Sequence, residues 1–252
     1  FSFWIPVSFA LILLGLNGLP IKARSASAHR TISGSTLPNY FTKIDETTIV
    51  DHARLVAADE ILYLFEYVSG RDYTFGATNS LISNLKKKPS LKGSAQYRYK
   101  TRDMTKCSQF LAEAINPAWL NGATLVPVPP SKAKDHPDYD DRMASICRAI
   151  PVAFPVDVRE LVVQTTSTHA AHESNDRPSV EELLEIYEIA EDLTQPAPRR
   201  IAIIDDVLTA GTHYRAMHTI LSQRFPGIPI VGMFVARRIF PQIDPAEEFD
   251  EL

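Results

Sequence analysis

Residues 201–214, IAIIDDVLTAGTHY, constrain this chain more than any other stretch. Ile201, Ala202, Ile203 and Ile204 form the unbroken apolar run that a strand buried on both faces requires. Asp205 and Asp206 follow, predicting two carboxylates at the strand's carboxyl end, where open α/β sheets bind their ligands. Thr209, Ala210, Gly211 and Thr212 come next, small and partly hydroxylated, and they lead directly into a helical pattern. A helix start presents unpaired N–H groups and the positive end of a dipole, which suits a phosphate. Tyr214, Met217, Ile220, Leu221 and Phe225 recur at helical spacing, giving that helix a face to lay on the sheet. One segment thus offers acids for sugar hydroxyls and, a few residues on, a cradle for a phosphate. That is the outline of a ribose 5-phosphate.

The surrounding pattern predicts an α/β fold with a parallel β-sheet flanked by helices. Residues 123–128 (ATLVPV), 161–163, 200–204 and 228–235 read as strands. Residues 51–68, 80–85, 105–115, 139–150, 179–189 and 213–225 read as helices, the 51–68 stretch on the spacing of Ala53, Val56, Ala57, Ile61, Leu64 and Phe65. Ser179, three residues before Glu182, predicts a capping box. The organisation expected is a leader and linker over 1–36, an N-terminal helical extension or hood over 37–122, a core over 123–240 and an acidic tail over 241–252.

The 201–214 segment resembles the phosphoribosyl-diphosphate (PRPP) signature of type I phosphoribosyltransferases. A second stretch agrees: in residues 123–143 a strand precedes Val128-Pro129-Pro130-Ser131-Lys132, which is similar to the diphosphate loop of that family, above all its ComF-like branch. The resemblance covers about 120 residues. It implies the type I fold, with Asp205 and Asp206 as the catalytic acids contacting the ribose hydroxyls, partly through Mg²⁺. It also implies that Thr209, Ala210, Gly211 and Thr212 hold the 5′-phosphate, and that Ser131 and Lys132 meet the diphosphate with Arg142 nearby. Two departures stand beside it. The N-terminal zinc-binding cysteine cluster of many ComF-like proteins is missing, and Tyr139, Asp140, Asp141, Arg142 and Met143 replace the usual basic helix start.

A third stretch, residues 164–177, is polar and holds nothing apolar larger than Ala. It is expected to serve as a mobile lid, with Arg177 reaching the diphosphate. His169 and His172 read as solvated, because a metal site would need a third ligand that is not apparent.

The reaction implied is Mg²⁺-dependent transfer of the 5-phosphoribosyl group from PRPP to an unidentified small-molecule acceptor, with release of diphosphate. The alternative is a regulatory protein that senses PRPP without turning it over. A net charge of -4 gives no reason to expect a nucleic-acid partner, and the run Lys86, Lys87, Lys88 reads as a solvated loop or helix end. Cys107 and Cys147 are the only cysteines, which excludes a zinc ribbon or a disulfide-dense framework and favours two unpaired core thiols. Residues 1–21 are uncharged and apolar, while Lys22, Arg24 and Arg30 follow. Three readings stay open for this leader: a non-essential or artefactual segment, an N-out anchor, or a signal peptide. A cytoplasmic protein is expected, touching a membrane only through residues 1–21; a homodimer is compatible with it.

Overall fold

The computed structural model describes residues 40–167 and 178–241. In chain order the elements are β1 (Thr42–Lys43), β2 (Ile61–Val68), α1 (Ala77–Leu85), α2 (Tyr97–Ala114), α3 (Pro117–Leu120), β3 (Thr124–Pro127), α4 (Arg142–Arg148) and β4 (Asp157–Val158). Then come β5 (Val162–Gln164), α5 (Val180–Ile186), β6 (Tyr187–Ile189), β7 (Ile201–Leu208), α6 (Thr212–Arg224) and β8 (Ile230–Ile239). Six strands make one sheet in the order β1-β2-β8-β7-β3-β4, parallel throughout except for β1 at the edge. β5 and β6 form a separate antiparallel pair.

Period-two alternation splits the core between the two faces of the sheet. Leu62, Leu64, Leu125, Ala202, Ile204 and Met233 bury against α1, α2 and α4. Ile61, Tyr63, Val126, Ile203 and Phe234 bury against α5 and α6. The result is an α/β protein with helices on both faces of a mostly parallel sheet. No helix among the described residues is long and apolar enough to cross a membrane. The leader 1–36, the acidic tail beyond Pro241 and residues 168–177 lie outside the described residues.

The stretch 51–68 corrects the expectation of a helix. Residues 49–51 make one 3-10 turn, and 61–68 is strand β2, paired with β8 from Ile61↔Gly232 to Val68↔Ile239. Five consecutive residues, Ile61, Leu62, Tyr63, Leu64 and Phe65, are buried. A helix would expose part of such a run, whereas a central strand buries both faces at about 1.5–3 kcal/mol per large side chain. The segment 37–122, expected to supply helices, therefore supplies two strands of the sheet as well as α1, α2 and α3.

Smaller differences have local causes. The capping box at Ser179 is present, with the Ser179 side chain accepting from the Glu182 amide and the Glu182 side chain from the Ser179 amide. The helix it starts ends at Ile186, and Tyr187–Ile189 continue as β6, where the Tyr187 ring is buried. The helix expected over 139–150 begins only at Arg142, because residues 133–139 form two successive turns and 139–141 are irregular. Cys107 and Cys147 are buried and unpaired, and burial pushes both thiols up to about 12.

Candidate active site

Strand β7 does not stop before its acids; it runs through Asp205 and Asp206 to Leu208. Alternation puts Ile201 and Ile203 on the α5–α6 face, and Ala202 and Ile204 on the other. Continued by one step each, it sends Asp205 toward α5 and α6 and Asp206 toward α4.

Asp206 is met there by Arg142, the first residue of α4. Arg142 Nε and a terminal nitrogen both donate to Asp206 Oδ2, at 3.1 and 2.8 Å. The other terminal nitrogen donates to Asp140 Oδ2 at 2.7 Å. That same oxygen accepts from Lys100 Nζ at 2.6 Å, and Lys100 also donates to the Lys87 carbonyl at 2.7 Å. Lys100 is only 1% exposed. The four side chains form a chain of alternating charge, Lys100, Asp140, Arg142, Asp206, running from α2 to β7. A lone buried ion is costly, but each here has an opposite partner and hydrogen bonds. Asp140, two residues before the start of α4, thus faces the cations of Lys100 and Arg142.

The electrostatics divide the acid pair. Burial and the neighbouring Asp206 charge push the Asp205 carboxyl above the ordinary range. For Asp206 burial acts in the same direction, but the charges of Arg142 and Lys86 outweigh it and hold the carboxyl below that range. Lys86, in the run that reads as solvated, sits half-buried at the end of α1, where its charge bears on both acids.

The turn after β7 is held by the segment that precedes β2. Gly211 caps α6 in the left-handed region at φ 86°, which only glycine adopts freely. A Cβ added there would lie 2.9 Å from Leu55 Cδ2. The Ala210 carbonyl accepts from the Arg54 amide at 2.8 Å. His52 Nδ1 contacts the Thr209 carbonyl, and Arg215 Nε donates to the Arg54 carbonyl at 3.1 Å. Among the described residues, neither the Ala210 nor the Gly211 amide donates to another backbone group outside the regular elements. The first helical amides, from Thr212 on, add to these donors. Just inside the helix, Tyr187 Oη and His213 Nδ1 are 2.7 Å apart, and burial pushes His213 down to about 4.

Ser131 and Lys132 leave the sheet beside the acids. Pro127 pairs with Ile204, and the Val128 amide donates to the Ile204 carbonyl at 2.9 Å. The Ser131 carbonyl accepts from Gln164 Nε2 at 2.9 Å, and the Ala133 amide donates to Ser167 Oγ at 3.0 Å, so β5 and its extension support this loop. Beneath it lies a cavity of about 20 Å³ lined by Pro129, Lys132, Tyr139, Glu160 and Gln164. That is room for a single water, and neither Asp205, Asp206 nor residues 209–212 border it.

The sheet therefore brings Asp205, Asp206, Thr209–Thr212 and the Ser131–Lys132 loop to one edge, because β3 and β7 are parallel neighbours. Arg177, with His169 and His172, lies outside the described residues, as does most of the segment expected to form a lid. Sequence reasoning missed His52, Lys86, Lys100 and His213. Only His213, directly inside the motif, carried a positional signal.

Among the described residues no group of three or more His, Cys, Asp or Glu gathers to hold a metal ion. Asp205 Oδ1 already accepts from the Asp206 amide at 2.8 Å, and Asp206 Oδ2 is taken by Arg142. This donor set suits Mg²⁺ only as an ion carried largely by phosphate oxygens and water, with one or two carboxylate contacts, which is the usual manner of Mg²⁺ at such sites. No protein-family model and no curated protein sequence matches the chain.

Proposed function

We propose that this protein binds PRPP at the carboxyl edge of β7 and β3, and transfers its phosphoribosyl group to a small-molecule acceptor. The observation that carries the reading is the continuity of one segment: a buried strand, two acids in contrasting environments, and a glycine-capped turn whose Ala210 and Gly211 amides donate to no other backbone group outside the regular elements among the described residues.

Each part has a role. Asp206, kept ionised by Arg142, accepts from a ribose hydroxyl. Asp205 takes the neighbouring hydroxyl, and burial beside the Asp206 charge raises its affinity for a proton. The amides of Ala210, Gly211 and the start of α6, with the hydroxyls of Thr209 and Thr212, hold the 5′-phosphate. Ser131 and Lys132 lie where the diphosphate would extend, and Lys86 adds positive charge nearby. Mg²⁺, bound with the substrate, would neutralise the leaving diphosphate.

The acceptor attacks the anomeric carbon, the C–O bond to diphosphate breaks with its electron pair leaving on oxygen, and the acceptor loses a proton. Residues that hold both ends of the substrate convert binding energy into orientation at that carbon.

Calorimetry with PRPP and Mg²⁺ tests the reading. Binding should require Mg²⁺, and Asp206→Asn or Thr209→Val should weaken it about ten-fold or more. Absence of binding at millimolar PRPP defeats the proposal. Binding without diphosphate release across a panel of nitrogenous acceptors would instead identify a sensor.

A further inference from the structure

We propose that His52 is the positioning residue that makes the 209–212 turn an anion cradle, by tying back the carbonyl of Thr209. The inference rests on the PRPP reading and adds to it a residue from the other end of the chain.

An anion repels carbonyl oxygens and attracts amides, so a phosphate loop must face one way. In a trans peptide the C=O of one residue and the N–H of the next point in opposite directions. Fixing the Thr209 and Ala210 carbonyls therefore fixes where the Ala210 and Gly211 amides point. Both carbonyls are fixed by one short segment: the Thr209 oxygen lies 2.5 Å from His52 Nδ1, and the Ala210 oxygen accepts from the Arg54 amide at 2.8 Å. Leu55 of the same segment fills the space beside Gly211. The carbonyls face residues 52–55, and the two amides face the opposite side.

His52 is well suited to the task. A carbonyl oxygen only accepts, so Nδ1 must carry the hydrogen and Nε2 the lone pair. His52 is 1% exposed, and burial pushes its pKa down, which keeps the ring in that neutral form. Nε2 is buried and has no hydrogen-bond partner among the described residues, so no second bond from the ring competes with the first. The Arg54 tether is backbone and survives any side-chain change. The His52 tether is the one a substitution can remove, and it acts on the carbonyl preceding the cradle's first amide.

The test compares two fragments of the substrate and reads the tether directly. Ribose 5-phosphate probes the turn, and Mg²⁺-diphosphate probes the Ser131–Lys132 end. His52→Phe keeps ring volume without the donor, and His52→Asn restores a donor close to the Nδ1 position. His52→Phe should weaken ribose 5-phosphate about ten-fold or more while leaving Mg²⁺-diphosphate within about two-fold, and His52→Asn should recover most of the loss. The carbonyl ¹³C signal of Thr209 should shift in His52→Phe and return in His52→Asn. If His52→Phe does not fold, His52→Ala carries the same expectations. Unchanged ribose 5-phosphate binding, equal loss of both fragments, or an unmoved Thr209 signal each overturns the proposal while leaving the PRPP reading intact. Wild-type protein that binds neither fragment overturns the PRPP reading, and the cradle with it.

Discussion

Arg142 spends two of its N–H groups on one oxygen of Asp206, and the ion pair they make is almost out of reach of water: the Asp206 side chain is 7% exposed and that of Arg142 19%. Arg142→Ala leaves the carboxylate buried and unpaired, which costs about 3–5 kcal/mol. Urea unfolding at pH 7 should show that loss. The pH dependence has a definite sign. A carboxyl depressed in the folded state stabilises above its unfolded pKa, and that contribution is lost as pH falls through the folded value. Wild-type protein should lose stability on acidification below about pH 4, and the gap to Arg142→Ala should narrow over the same range.

Asp205 predicts the opposite slope. Its carboxyl holds a proton more tightly folded than unfolded, so its contribution is greatest at low pH and is lost as pH rises through the raised folded value. Asp205→Asn should therefore gain stability relative to wild type between pH 5 and pH 8, by about 1 kcal/mol or more, while losing PRPP binding. Unfolding curves at the two pH values check this.

Gly211→Ala meets two obstacles, a left-handed φ of 86° and the Leu55 side chain at 2.9 Å. The backbone term alone is about 1 kcal/mol. Leu55→Ala removes the collision but not the torsional penalty, so the double variant should recover only part of the melting temperature lost by Gly211→Ala. Full recovery would show that the conformation of the cap costs nothing.

Lys100 and Asp140 should behave as one unit. Lys100→Met leaves Asp140 dependent on Arg142 alone, and the Lys100→Met/Asp140→Asn double variant removes both charges together. A double-mutant cycle should return a coupling of about 0.5–3 kcal/mol, with the pair less destabilised than the sum of the singles. Strict additivity would mean that the charge chain is not a functioning network.

The parts of the site legible in the sequence are those within one uninterrupted stretch. β7, the acid pair, the glycine cap and α6 follow in order, so apolar run, charge and turn chemistry identify them without reference to the rest of the chain. The capping box at Ser179 is legible for the same reason. β2 is not, because Ala53, Val56, Ala57, Ile61, Leu64 and Phe65 satisfy a helical period while Ile61–Phe65 also form a continuous buried run, and periodicity alone does not separate the two. What decides is pairing with β8, far along the chain. Arg142 with Asp206 and His52 with Thr209 are likewise contacts between distant residues, and no local pattern marks either one. Lys100 sits in the polar sequence YRYKTRDMTK, where its burial has no signature.

The pairing of β2 with β8 also sets an order of events during synthesis. Ile61 and its partner Gly232 are roughly 170 residues apart, so at 5–20 residues per second Ile61–Phe65 are made on the order of ten seconds or more before the strand that will cover them. During that interval the nascent chain carries a five-residue hydrophobic strand with a free backbone edge, the kind of segment that recruits neighbouring chains. The strand order of the sheet therefore leaves the newborn polypeptide with an exposed aggregation-prone segment until β8 is made, and its yield is expected to depend on the pace of translation through α2, β3 and β7.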